Sequence, residues 1–153
     1  MEETVLSPQN HVEGISPQEL EEKVRNIMTQ YAYLSKTGGM LTQGLELVRE
    51  LREKWLPRVK ADNPHELMRA AEVRNIITVA ELHIASALFR TESVPYGRHF
   101  LHRLDYPTQR PTWYRQRVVV KNDGGEMKVY KRQTVEQRPP THKEYEAVKE
   151  IKP

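Results

Sequence analysis

A long helix with apolar residues on two faces constrains the fold of this chain more than any other feature. The spacing predicts a helix over 64–90, and Asn63-Pro64-His65-Glu66 supplies a cap followed by proline at the first helical position. Apolar residues form one stripe with further residues beside it: Leu67, Ala70, Val73, Ile77, Ala80, Ile84 and Leu88, then Ile76, Val79, His83 and Ala87. So wide an apolar surface places a helix at the centre of a small bundle.

Two shorter helices are predicted before it. Ser16-Pro17-Gln18-Glu19 is a capping box, and the apolar spacing after it predicts a helix over 17–34. Gly38-Gly39 is expected to interrupt the helical pattern. A second helix is expected over 40–56, and Pro57 ends it. The prediction is a mainly α fold, a three-helix antiparallel bundle that resembles a spectrin repeat.

The pattern changes after the third helix. An irregular basic loop is followed by Arg117-Val118-Val119-Val120-Lys121, a turn at Asn122-Asp123-Gly124-Gly125, and a second strand over 126–131. This order predicts a β-hairpin. We therefore divide the chain into a flexible arm at 1–15, a helical domain with hairpin at 16–135, and a charged tail at 136–153.

Positive charge is concentrated in the basic loop and the first strand. Between residues 90 and 121 there are seven Lys and Arg residues against two acids, although the whole chain carries only +3. The basic side chains predicted to dock a partner or bind an anion are Arg98, His99, His102, Arg103, Arg110, Arg115 and Arg117. Planar guanidinium groups suit carboxylates on a neighbouring domain. A competing interpretation is that Arg98 and Arg103 brace the loop from within.

Several classes of chemistry are excluded or disfavoured. The chain has no cysteine, which excludes disulfides and cysteine-held iron–sulfur clusters. Its glycines form neither a dinucleotide-binding fingerprint nor a phosphate loop, so we expect it to bind no FAD alone. No apolar run is long enough to cross a bilayer, and the N-terminus lacks the form of a signal peptide. A cytoplasmic location is expected, with any membrane association indirect and through partners.

Three further groups of residues have side chains of types found in metal, catalytic or nucleic-acid-binding sites. His99, His102 and Asp105 are metal-ligand types, but flanking arginines penalise a cation there. Glu72, Glu81 and His83 on the third helix are typical of ion pairs at a helix edge rather than of acid–base catalysis. Aromatic residues alternate with arginines in the loop, as in single-stranded nucleic-acid binding. We predict no catalytic, cofactor-binding or metal-binding residue, and nucleic acid is the less favoured partner.

The order of these features resembles the C-terminal helical domain of the succinate dehydrogenase and fumarate reductase flavoproteins, particularly the adenylylsulfate reductase branch. The resemblance covers about residues 14–132. In that family the third helix leads into Glu-Ser-Arg-Gly-Ala-His-x-Arg-x-Asp-x-Pro, and a tryptophan often follows. The residues that fill matching places are Glu92, Ser93, His102, Arg103, Asp105, Pro107 and Trp113.

The resemblance implies an accessory role in an FAD-dependent oxidoreductase. The family's FAD-binding domain and substrate-capping domain, which carry the flavin site and the catalytic residues, have no counterpart in this sequence. The implied partner is therefore an FAD-binding flavoprotein domain or subunit, and beyond it an iron–sulfur electron-transfer subunit. The alternative from another class is a free-standing helical module that binds anions or single-stranded nucleic acid.

Overall fold

The computed structural model describes residues 7–10, 13–94 and 101–134. Its main elements are three α-helices and four β-strands: α1 Pro17–Tyr31, β1 Ser35–Lys36, α2 Gly38–Glu50, α3 Pro64–Phe89, β2 His102–Arg103, β3 Gln116–Asp123 and β4 Glu126–Gln133. The protein is mainly α, as predicted. Each of the three helices packs against the other two. The antiparallel, spectrin-like arrangement stays a prediction.

Each helix begins at a side-chain cap that the local sequence supplies. The Ser16 hydroxyl accepts a hydrogen bond from the backbone N–H of Glu19, and the Asn63 side chain does the same for Glu66. Proline occupies the first turn in both cases, where its missing N–H costs nothing. The predicted starts of α1 and α3 are confirmed. They could be predicted because each cap lies next to the helix that it starts.

The glycine pair was wrongly interpreted as a break between helices. Gly38 and Gly39 are the first residues of α2, because the Thr37 hydroxyl caps the helix by accepting a hydrogen bond from Met40 N–H. Helix α1 also ends earlier than predicted, at Tyr31. The chain leaves α1 to form β1, which pairs in parallel with β2 and so requires extended backbone before Thr37.

The end of α2 is irregular. A π-helical turn at Leu51–Trp55 and a 3₁₀ turn at Leu56–Arg58 carry the chain to Val59. Pro57 lies in the 3₁₀ turn, consistent with the predicted stop near residue 56.

The core lies between the three helices and is centred on α3. Val73, Ile77 and Ile84 are almost completely buried, and Leu20 and Leu41 from the other helices are buried against the same cluster. The predicted stripe therefore faces the core. Ile76 and Leu88 are only partly buried, and Val79 is 63% exposed.

Part of the predicted arm belongs to the packed domain. Ile15 is buried, and its backbone N–H donates to the carbonyl of Arg58 while its carbonyl accepts from Lys60 N–H. A Cβ on Gly14 would lie 2.1 Å from the Arg58 carbonyl oxygen, so this approach requires glycine. The predicted tail at 136–153, like Arg98 and His99 of the basic loop, lies outside the described residues.

The hairpin is confirmed where it was predicted. Strands β3 and β4 pair in antiparallel register from Gln116 opposite Gln133 to Asp123 opposite Glu126. Gly124 and Gly125 form the turn with φ of 65° and 95°, a conformation that favours glycine at both positions. Both strands contact α3, which supplies the support that an isolated hairpin would lack.

Replacing Ile77 by alanine should lower the free energy of unfolding by about 2–5 kcal/mol, because a fully buried side chain leaves a cavity at the centre of the core. Val79→Ala, on the exposed side of the same helix, is the matched control and should change it little. Urea unfolding of the two variants measures the difference. Equal stability of both would show that α3 is not central.

Candidate functional site: the arginine brace and the exposed surfaces

Arg103 lies at the centre of the region that the sequence singled out. Its side chain is almost wholly enclosed, with the residue 1% exposed. Nη1 donates to the carbonyl oxygens of Ala87 at 2.7 Å, Leu88 at 3.2 Å and Arg90 at 3.3 Å. These carbonyls belong to the last turn of α3, where a helix leaves acceptors without internal partners and favours a positive charge. Arg103 therefore caps the C-terminal end of α3.

The same guanidinium binds Asp105 in a bidentate ion pair. Arg103 Nε lies 2.8 Å from Oδ1, and Nη2 lies 2.7 Å from Oδ2. Oδ2 also accepts the backbone N–H of Gly38 at 2.8 Å, at the first turn of α2. The hydrogen bonds from Arg103 and then from Gly38 lower the pKa of Asp105 to about 2, against the opposing effect of burial. We call this unit, Arg103 and Asp105 between the two helix ends, the arginine brace.

Gly38 fits the brace because it has no side chain. A Cβ at this position would lie 3.0 Å from Asp105 Oδ2 and 3.2 Å from Arg103 Nη2, both tighter than ordinary contact. Lys36, two residues earlier, is also buried and donates to the Ala32 carbonyl. Burial lowers the pKa of Lys36, and the nearby Arg103 cation lowers it further.

Glu92 and Ser93 hold the loop around the brace. The Ser93 hydroxyl accepts the Arg103 N–H at 2.8 Å and lies within hydrogen-bond distance of the carbonyls of Arg103 and Tyr106. Glu92 is buried, accepts Arg90 Nε at 2.8 Å through Oε1, and accepts the Arg110 N–H at 3.0 Å through Oε2. Glu92, Ser93, Arg103 and Asp105, four of the residues that carried the resemblance, thus form hydrogen bonds inside the chain.

Trp113 joins the hairpin to the end of α3. It is buried, its indole N–H donates to the Thr91 hydroxyl at 3.0 Å, and its ring meets Phe89 edge to face at 5.9 Å. The Lys131 ammonium of β4 lies 4.0 Å from the centre of the same ring. These contacts fix the root of the hairpin beside the brace.

The seven basic residues predicted as one docking or anion-binding set fall into separate environments. Arg98 and His99 lie outside the described residues. His102 is half-buried, with Nδ1 2.9 Å from the Ser35 hydroxyl. Arg110 and Arg115 are exposed and lie over the rings of Tyr106 and Tyr114. Arg117 is exposed on β3.

Every nitrogen of the buried Arg103 guanidinium is engaged inside the chain, so none is free for the docking role that was predicted for it. Bracing, the competing interpretation from the sequence, describes this residue. We therefore leave Arg103 out of any docking surface.

The acidic candidates are engaged in similar ways. Glu81 is buried and pairs with Arg49 at 3.1 Å and with Arg52, so it joins α3 to the end of α2. Asp105, considered as a metal ligand with His99 and His102, is held by Arg103. Within 7–10, 13–94 and 101–134, no three His, Asp or Glu residues are grouped as a metal site.

An open apolar groove between α1 and α3 is the surface that the sequence did not assign. Its apolar lining is Val24, Met28, Ile76, Val79 and Ala80, and its open volume is about 690 Å³. Met68, on the same side of α3, is 53% exposed. The available signal was the second apolar face of α3, on which Val79 stays exposed and Ile76 is only partly buried. We call this surface the α1–α3 groove.

Comparison with known protein families identifies the class of protein to which this fold belongs. The pattern of the fumarate reductase flavoprotein C-terminal family matches residues 21–145. The chain belongs to this family.

Particular relatives agree with this assignment. An uncharacterized FAD-dependent oxidoreductase of Methanocaldococcus jannaschii is 30% identical over 118 residues, which is 76% of this chain and 21% of that protein. Adenylylsulfate reductase of Archaeoglobus fulgidus superimposes with a TM-score of 0.71 at 30% identity, covering 82% of this chain and 20% of that one. E. coli quinol fumarate reductase FrdA, at 19% identity, shares the fold with a TM-score of 0.76, over 92% and 25%. The chain spans about a fifth to a quarter of the length of these relatives.

Replacing Arg103 by alanine should lower the free energy of unfolding by about 3–5 kcal/mol, because it removes the donor to three helix-end carbonyls and leaves Asp105 with only the Gly38 N–H. Arg110→Ala removes an exposed arginine of the same loop and should cost less than about 0.5 kcal/mol. Thermal unfolding of the purified chain, with no partner present, tests this. If Arg103→Ala matched the Arg110 control, the brace would not stabilise the fold.

The brace should also give the chain a defined sensitivity to acid. Because folding lowers the pKa of Asp105 from 3.8 to about 2, its contribution to stability is complete above about pH 5 and is lost as pH falls toward 2. Melting temperature measured between pH 2 and pH 6 should therefore fall more steeply for the native chain than for Asp105→Asn. Parallel curves for the two proteins would contradict this account.

Proposed function

We propose that this domain is an accessory part of an FAD-dependent oxidoreductase, in which it packs against the flavin-binding domain and shapes the interface with an electron-transfer partner. The single observation that supports packing is the α1–α3 groove. Val79 is 63% exposed at its centre although it lies on the central helix of the fold. A helix that is apolar on more than one side is normally covered on more than one side.

The length of the relatives supports the identity of what covers the groove. The chain corresponds to about a fifth of the M. jannaschii oxidoreductase and of the adenylylsulfate reductase. The remaining four fifths offer a large body for this domain to pack on, whether it lies on the same polypeptide or on another. We propose that FAD is held in that body and that this chain alone holds none.

The remaining parts of the assignment are proposals of the same kind. The electron-transfer partner would be an iron–sulfur subunit. The domain itself would be cytoplasmic, as its sequence predicts. None of the described helices is both long and apolar enough to cross a membrane. We propose that any contact with a membrane complex is made through partners.

A charge placed in the groove should weaken association with the flavin-binding domain without harming the fold. Val79→Lys puts an ammonium where an apolar contact is proposed, and we expect the binding free energy to fall by about 2 kcal/mol or more. Gln43→Lys adds the same side chain at an exposed position of α2 and is the matched control. Isothermal titration of each variant with the flavin-binding domain of the same enzyme measures the difference. Equal affinities would mean that the groove is not the contact.

A further inference from the structure

One face of the hairpin combines like charges across the strands with an apolar centre. We call each pair of directly opposed residues on β3 and β4 a rung, and successive rungs point to alternate faces of the hairpin. Asn122 and Met127, which form one rung, line a cavity against Thr78 and Leu82 of α3, together with Val120 and Lys121. Lys131, opposite Val118, lies over the Trp113 ring. The rungs between these therefore face away from α3, and we call them the outer face.

The outer face carries two rungs in which cations are opposed. Arg117 is directly opposite Arg132, and Lys121 is directly opposite Lys128. All four side chains are exposed. Directly opposed like charges destabilise a strand pair. Lys128 is relieved by Asp123 at 2.6 Å, but among the described residues no carboxylate pairs with Arg117, Lys121 or Arg132.

The rung between the two charged ones is apolar. Val119 is directly opposite Tyr130, whose ring is 40% exposed. At a rise of about 3.3 Å per residue, the charged rungs are about 13 Å apart, one on each side of this centre. An apolar centre between charged groups is the usual anatomy of a protein–protein contact.

We propose that the outer face of the hairpin docks an acidic protein surface, one that presents carboxylates on both sides of an apolar contact. Such a partner would place carboxylates beside both repulsive rungs at once and so reduce the repulsion between their cations. Nucleic acid fits less well, because the face offers one aromatic ring for stacking and ends in Asp123 opposite Glu126.

This surface differs from the α1–α3 groove. Thr78 and Leu82 of α3 face the hairpin, whereas Ile76, Val79 and His83 line the groove. At about 100° per residue, the two sets are centred roughly 120° apart around the helix. A partner on the outer face therefore leaves the groove open for the flavin-binding domain, and the two proposals can fail separately.

The test uses the full chain and a fluorescent peptide that has two leucines between two pairs of glutamates. Arg132→Glu converts a repulsive rung into an ion pair with Arg117. We expect it to raise the melting temperature of the free chain and to weaken peptide binding by about tenfold or more. Arg117→Glu should do the same. Arg58→Glu reverses one exposed cation outside the hairpin, in the 3₁₀ turn Leu56–Arg58, and should leave peptide affinity within about twofold.

Two further probes fix the chemistry. The same peptide with glutamine for glutamate should bind at least about tenfold more weakly, and binding of the acidic form should fall as salt rises. A single-stranded thymidine oligonucleotide of equal charge should bind more weakly than the acidic peptide. Absent binding of the acidic peptide at low salt, unchanged binding by Arg132→Glu, or tighter binding of the oligonucleotide would each overturn the proposal.

Discussion

The hydrogen bonds of Arg103 connect parts of the chain that are far apart in sequence. The Arg103 guanidinium donates hydrogen bonds to the last carbonyls of α3. It also pairs with Asp105, which accepts the first N–H of α2. A buried cation is tolerated only where its donors are satisfied, so the loop that carries Arg103 must follow one path. Ser93 fixes its backbone N–H, and Gly38 leaves the space that Asp105 needs. The end of α3, the start of α2 and the root of the hairpin are therefore one structural unit.

That unit frees the remaining surfaces for other contacts. The conspicuous arginine and aspartate of the basic loop are consumed in the brace, so they say little about partners. Two surfaces of the described residues are proposed as contacts, and they differ in chemistry: an apolar groove between α1 and α3, and a cationic face on the hairpin. Apolar burial tolerates salt, whereas contacts between exposed charges are screened by it. Salt dependence should therefore tell one interface from the other.

Local signals in the sequence predicted some elements accurately, and long-range contacts decided the others. The caps at Ser16 and Asn63 lie within a few residues of the helices they start, so those starts could be read directly. The role of Gly38 could not, because it depends on Asp105, 67 residues away. Likewise, the motif residues showed the family, but only the structure shows that Arg103 faces inward. The sequence predicted that α3 has two apolar faces, but it did not predict which of them would remain exposed.

The central claim is that this domain meets the flavin-binding domain through the α1–α3 groove while the arginine brace works inside the chain. Hydrogen–deuterium exchange of the chain, with and without the flavin-binding domain of the same enzyme, tests this most directly. The account predicts new protection in 24–28 and 76–83 and none in 101–106, where the brace already protects the backbone. Protection confined to 101–117, with the groove unchanged, would contradict it.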